Sequence, residues 1–113
     1  MDIGLIGLGN IGVHFGTRLL AGGHKLFVHD KSTEARDRLV TRGAIPCVST
    51  KELASKVEIV LLCLPMPHIV LEVAKEVAEG EKVRIVLDLS TTGPSITQGV
   101  SSFLELHDIA LVS

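Results

Sequence analysis

One short segment narrows the folds open to this chain more than any other. Gly7-Leu8-Gly9-Asn10-Ile11-Gly12 has the form G-x-G-x-x-G and lies between two segments of different period. Ahead of it, residues 3–6 are an apolar run of strand length. Behind it, Ile11, Phe15, Leu19 and Leu20 recur at helical spacing up to Ala21. A strand that runs through three glycines directly into a helix lets the backbone come close to an anion. The first glycine permits the tight turn, the second leaves no Cβ in the way of a diphosphate, and the third lets the helix lie close on the strand. The N–H groups of the helix's first turn, reinforced by its dipole, then face the phosphates.

The rest of the chain repeats the same alternation. Residues 26–28 form a second strand, closed by His29 and Asp30. Ser32 caps a helix running to about Arg42, and residues 44–48 are a third strand. Ser49-Thr50-Lys51-Glu52 has the form of a capping box that opens a short helix. Residues 57–64 and 83–89 are runs that stay apolar without alternating, apart from a few polar residues such as Glu58, Arg84 and Asp88. Such runs are covered on both faces, as in the middle of a parallel sheet. Pro67 starts a helix ended by Gly80, Pro94 starts another, and residues 109–112 are a sixth strand. The pattern predicts an α/β fold: a doubly wound, six-stranded parallel sheet of Rossmann type with order 3-2-1-4-5-6. At 113 residues, 46% of them hydrophobic, the chain has the size and composition of a single domain with a real core.

Asp30 closes the second strand 18 residues beyond Gly12, where an acid can take both ribose hydroxyls of an adenosine. Strand, glycines, helix, strand and terminal acid in that order point to a dinucleotide. The Asp30 carboxylate repels a 2′-phosphate, so NAD is expected over NADP; adjacent Lys31 is the one residue there that can offset it. Eleven basic against 13 acidic residues leave no excess of positive charge for nucleic acid. No apolar run reaches the roughly 20 residues of a membrane helix. The start of the chain lacks the pattern of a signal peptide, so a cytoplasmic location is expected. Cys47 and Cys63 fit small apolar strand residues and are not at metal-ligand spacing. His14, His24 and His68 read as surface or helix-end residues. Asp88, Ser90, Thr91 and Thr92 fall at the carboxyl end of the fifth strand, where they either cap the next helix or meet ligand.

Three segments together resemble the 3-hydroxyisobutyrate / 6-phosphogluconate dehydrogenase group, the β-hydroxyacid dehydrogenases. Residues 3–12, Ile-Gly-Leu-Ile-Gly-Leu-Gly-Asn-Ile-Gly, are similar to that family's I-G-x-I-G-L-G-x-M-G. Cys63-Leu64-Pro65 resembles its L-P turn, and Asp88-Leu89-Ser90-Thr91-Thr92-Gly93-Pro94 its D-x-S-T-x-x-P. The resemblance implies that residues 7–12 and Asp30 hold the dinucleotide and that Leu64 and Pro65 line its nicotinamide side. It also implies that Thr91 contacts the cofactor near the nicotinamide ribose and that Ser90 lies near a substrate carboxylate. Ile11 departs from the family's methionine, Phe15 from a small residue or methionine, and Ile69 from an asparagine found in some members.

Family members continue into a serine-glycine-glycine loop and a helical domain bearing a catalytic lysine in G-x-x-x-K-x-x-N. None of Lys25, Lys31, Lys51, Lys56, Lys75 and Lys82 stands in that context. Alcohol oxidation needs hydride transfer and a group to take the hydroxyl proton. The expectation is therefore an NAD-binding domain, residues 1–113, of a β-hydroxyacid dehydrogenase. The parent protein would interconvert a 3-hydroxy acid and its oxidised product, while this chain alone binds cofactor without turnover. The rival readings are a dinucleotide-sensing regulatory module and the cofactor domain of another reductase, for example one acting on imines. A homodimer is expected if the sixth strand is an open sheet edge.

Overall fold

Runs that stay apolar at every position need partners above and below, and the architecture supplies them. In this computed structural model, which describes residues 1–90 and 94–112, six strands form one parallel sheet. They are β1 (Asp2–Ile6), β2 (Lys25–His29), β3 (Ile45–Pro46), β4 (Ile59–Leu62), β5 (Ile85–Asp88) and β6 (Ala110–Val112), in the order β3-β2-β1-β4-β5-β6. Between them run α1 (Asn10–Ala21), α2 (Thr33–Val40), α3 (Thr50–Ala54), α4 (Pro67–Ala78) and α5 (Pro94–Glu105). The expected doubly wound topology and strand order are those observed.

Each central strand feeds two cores. Val60 and Leu62 of β4 join Val70, Ala74, Val77, Val86, Val100 and Leu104 in the layer under α3, α4 and α5. Leu61, between them, turns to the opposite layer with Leu5, Leu26, Val28 and Leu39, where α1 and α2 pack. Alternate residues of one strand thus serve different cores, which is why the run shows no polar alternation. On the α1 side, a side chain at Gly16 would strike Leu39 at 2.7 Å, so the glycine lets α1 and α2 approach closely.

The boundaries differ from the sequence expectation in instructive places. The third strand keeps only two paired residues; it is an edge strand, and Pro46 fits there because its nitrogen faces the open side while Cys47 N–H donates to the Val28 carbonyl at 2.8 Å. The capping box forms by half. Ser49 Oγ accepts from the Glu52 N–H at 3.0 Å, but the Glu52 carboxylate turns to Lys56 Nζ at 3.7 Å. After α4 the left-handed position falls on Glu81 (φ 63°) rather than Gly80; Gly80 is needed instead because a side chain there would enter Ala54.

The chain passes from β3 at one edge over to β4, so α1 and α4 leave the sheet from adjacent strands, on opposite faces. This reversal opens a crevice beyond the carboxyl ends of β1 and β4, the usual ligand position in open α/β sheets. Among the described residues, no helix is long and apolar enough to cross a membrane, and no group of His, Cys, Asp or Glu is placed to hold a metal.

Candidate functional site

The crevice is a cleft of about 830 Å³, within the range of small-molecule sites, and the glycine turn forms its floor. The three glycines differ in what demands them. Gly7 sits at φ +89°, and a side chain there would collide with the Cys63 carbonyl. A side chain at Gly12 would collide with the Gly7 carbonyl and hold α1 off the strand. Gly9 is at an ordinary φ of −66°, and a Cβ built there meets nothing within 4 Å. Packing explains Gly7 and Gly12. The missing side chain at Gly9 instead leaves open space in the cleft.

Helix α1 begins with Gly9 as N-cap and no side chain capping it. By contrast, Ser32 caps α2 through Ala35 N and Ser49 caps α3 through Glu52 N. The first N–H groups of a helix have no partner within it. Those of α1, at Asn10 and Ile11, have no capping side chain over them, and both residues line the cleft. Leu8 is fully buried beneath the turn, whereas Ile11, 63% exposed, lies on the cleft rim. Phe15 lies a turn further along α1, outside the cleft lining.

Asp30 stands directly against this turn. Its Oδ2 accepts from the Leu8 N–H at 2.6 Å, and its Oδ1 from the Ser32 N–H at 2.8 Å. A carboxylate has about four acceptor positions, so two backbone bonds orient the group and leave room for two more donors. The same acid thus ties the end of β2 to the glycine turn across 22 residues of sequence. Lys31, beside it, is exposed and also borders the cleft. It is the only one of the six lysines that does so.

At the other end, Leu64 and Pro65 follow β4 and line the cleft, as does Ser90 after β5. The Ser90 hydroxyl is already engaged, accepting from the Leu64 N–H at 2.7 Å and lying 3.4 Å from the Leu62 carbonyl oxygen. Its own N–H donates to Asp88 Oδ1 at 2.8 Å. Ser90 therefore clamps the Leu64–Pro65 turn to the end of β5. Thr91 lies outside the described residues. Ile69 borders the cleft, but His14, His24 and His68 do not.

Cys63, under the glycine turn, is pushed from the ordinary thiol value of 9.0 up to about 11, first by burial and then by the Asp88 carboxylate. The folded state holds this proton longer than the unfolded chain does. The resulting stabilisation is complete below pH 9 and is lost as pH rises through 11. At about 1.4 kcal/mol per pH unit, urea titrations of the parent and Cys63→Ala should diverge by about 2 kcal/mol over that window. Parallel curves would show that the thiol titrates alike in both states. Burial, more than the Glu52 carboxylate, likewise raises the Cys47 thiol.

Several cleft residues carry no local sequence signal. His29, Ala35 and Thr50 border the cleft together with Asp30. Glu72, Val73 and Glu76 come from α4, with Ile69 one turn before Val73. Their spacing of three and four residues marks one face of a helix. Nothing in the sequence says that this face turns toward the glycines.

Known proteins share both the sequence and this geometry. Residues 2–113 match the family model of the NAD binding domain of 6-phosphogluconate dehydrogenase. The mitochondrial 3-hydroxyisobutyrate dehydrogenase of Drosophila melanogaster is 38% identical over 101 residues, covering 88% of this chain and 31% of that protein. The 3-sulfolactaldehyde reductase of Escherichia coli (strain K12) is 35% identical over 114 residues, covering 97% of this chain and 38% of that protein. A solved structure of Mycobacterium tuberculosis 3-hydroxyisobutyrate dehydrogenase with L-serine superposes with a TM-score of 0.92 at 23% identity, over 97% of this chain and 38% of that one, and so shares the fold. The chain thus spans about a third of the length of the curated relatives it matches. With its sequence, strand order and glycine turn all in agreement, this chain belongs to the family of NAD-binding domains of the 6-phosphogluconate dehydrogenase type.

Proposed function

We propose that this domain holds NAD for a β-hydroxyacid dehydrogenase of the 3-hydroxyisobutyrate dehydrogenase kind. The whole protein would then interconvert a 3-hydroxy acid and its oxidised product by reversible hydride transfer. One observation carries the reading: the uncovered backbone at Gly9, beside helix N–H groups that no side chain caps. Together they leave a place for two phosphates and for little else.

In this reading residues 7–12 hold the diphosphate. Asp30 takes the adenosine ribose hydroxyls, and Leu64 and Pro65 lie against the nicotinamide. Thr91 serves the nicotinamide ribose. Ser90 lies toward the substrate carboxylate and also fixes the turn that carries Leu64. A bound nicotinamide supplies the hydride chemistry. The one lysine on the cleft is Lys31, at the adenosine end, so the group that takes the hydroxyl proton belongs to another part of the whole protein. The present chain then binds dinucleotide with essentially no turnover.

NAD is favoured over NADP by charge. Asp30, Glu72 and Glu76 border the cleft against Lys31 as its one lysine or arginine. A 2′-phosphate adds about −1.5 to −2 charges to that surrounding. Titration of NADH and NADPH, followed by fluorescence, tests this. Asp30→Ala should weaken NADH by about 1.5–3 kcal/mol and narrow its advantage over NADPH. Equal affinity of the unaltered protein for both cofactors would remove the role given to Asp30.

The reading also places the chain in the cytoplasm, a reducing compartment that suits its free thiols. It gives the β6 edge, where Val112 is 50% exposed, to a second copy of the chain. Strictly monomeric sedimentation at high concentration would count against that pairing.

A further inference from the structure

Two polar side chains are buried among the described residues, Thr50 and Asp88. Asp88 is answered by the Ser90 N–H. Thr50 is only 4% exposed, and its hydroxyl makes no hydrogen bond to another described residue. That hydroxyl is not one of the sealed, partnerless atoms of the fold, so what calls for an explanation is a threonine hydroxyl left open to the cleft. Capping supplies none, because Ser49 already caps α3. Helix propensity supplies none either, since threonine is a weak helix former. What distinguishes Thr50 is its position on the cleft wall, where the hydroxyl is not sealed in as His24 Nδ1 is.

The sheet register places Thr50 at the adenosine end. Cys47 N donates to the Val28 carbonyl at 2.8 Å, and the Cys47 carbonyl lies 3.0 Å from His29 Nδ1. This brings the start of α3 over the end of β2, beside Asp30. A carbonyl can only accept, so His29 Nδ1 carries the ring proton and Nε2 is left as an acceptor in the neutral ring. Ile69 and Val73 of α4 offer apolar surface in the same cleft. A hydroxyl, an imidazole acceptor and two aliphatic side chains suit a flat purine. Adenine carries an N6 amino donor with a ring-nitrogen acceptor next to it.

We propose that Thr50 Oγ1 hydrogen-bonds adenine at its N6 edge, with His29 Nε2 as the neighbouring acceptor, so that this end of the cleft selects the base. The proposal rests on the dinucleotide reading and adds a base-reading residue to it.

The test compares NAD+ with 1,N6-etheno-NAD+, in which that edge is blocked, on the unaltered chain, Thr50→Val and Thr50→Ser. Valine keeps the shape and removes the hydroxyl; serine keeps the hydroxyl. The unaltered chain should favour NAD+ about tenfold or more. Thr50→Val should lose about tenfold for NAD+ and less than twofold for the etheno analogue, and Thr50→Ser should resemble the parent. If Thr50→Val does not fold, Thr50→Ala is read in the same way. Undiminished NAD+ binding by the valine variant would overturn the proposal and leave the dinucleotide reading standing. So would equal losses for both ligands, which would mark Thr50 as structural. No binding of NAD+ to the unaltered chain would defeat the dinucleotide reading itself.

Discussion

Gly9→Ala is expected to leave the domain at least as stable as the parent while its affinity for NADH falls about 100-fold, near 2.8 kcal/mol. The two effects have separate causes. At φ −66° alanine is unstrained, and its Cβ would meet no protein atom within 4 Å. Replacing glycine at such a position reduces the freedom of the unfolded chain and stabilises by about 0.4–1 kcal/mol. The space that Cβ enters, however, is the space proposed for the diphosphate. Contact there pushes the phosphates away from the N–H groups of α1, and charge-assisted hydrogen bonds weaken steeply with distance and angle. Thermal melts without ligand and NADH titration measure the two effects independently. An alanine variant that bound NADH as the parent does would show that the diphosphate does not rest on this turn.

The same substitution two residues earlier should do the reverse. Gly7→Ala puts a side chain at φ +89° and drives its Cβ into the Cys63 carbonyl, which belongs to the backbone and cannot rotate away. Left-handed strain in a non-glycine residue costs about 1–3 kcal/mol, and overpacking a dense interior costs a similar amount. The sum, about 2–6 kcal/mol, is a large part of the stability of a domain of this size. The melting temperature without ligand should fall on the order of 10–20 °C. A fall of only about 2 °C would mean that β1 and β4 can separate at the turn without breaking their pairing. Gly12→Ala, facing the Gly7 carbonyl, should behave like Gly7→Ala and unlike Gly9→Ala.

These opposite outcomes mark where the motif alone is informative. G-x-G-x-x-G already gives its three glycines separate tasks, and the fold adds what enforces each: a backbone carbonyl against Gly7 and another against Gly12, and open space at Gly9. Asp30 shows the same division. Its place at the end of the second strand is legible from the chain. Its bond to Leu8 N–H, which makes it part of the turn it serves, depends on β1 and β2 lying side by side in register. Ser90 is legible as a residue of the ligand edge. That its hydroxyl is held by Leu64 N–H, 26 residues away, is a result of β4 pairing with β5.

What the amino-acid order determined by itself is whatever depends on neighbours along the chain. This includes the switch from unbroken apolar runs to helical spacing, the glycine corner, the helix starts at Ser32 and Ser49, and, through the handedness of crossovers, the order of the strands. Tertiary structure decided which side chains face one another across the cleft. Glu72, Val73 and Glu76 line it because α4 is rotated about its own axis by the seating of Val70, Ala74 and Val77 in the core. Thr50 lines it because an edge strand ends beside Asp30. Such placements are set by packing between elements distant in sequence, and local periodicity carries no record of them.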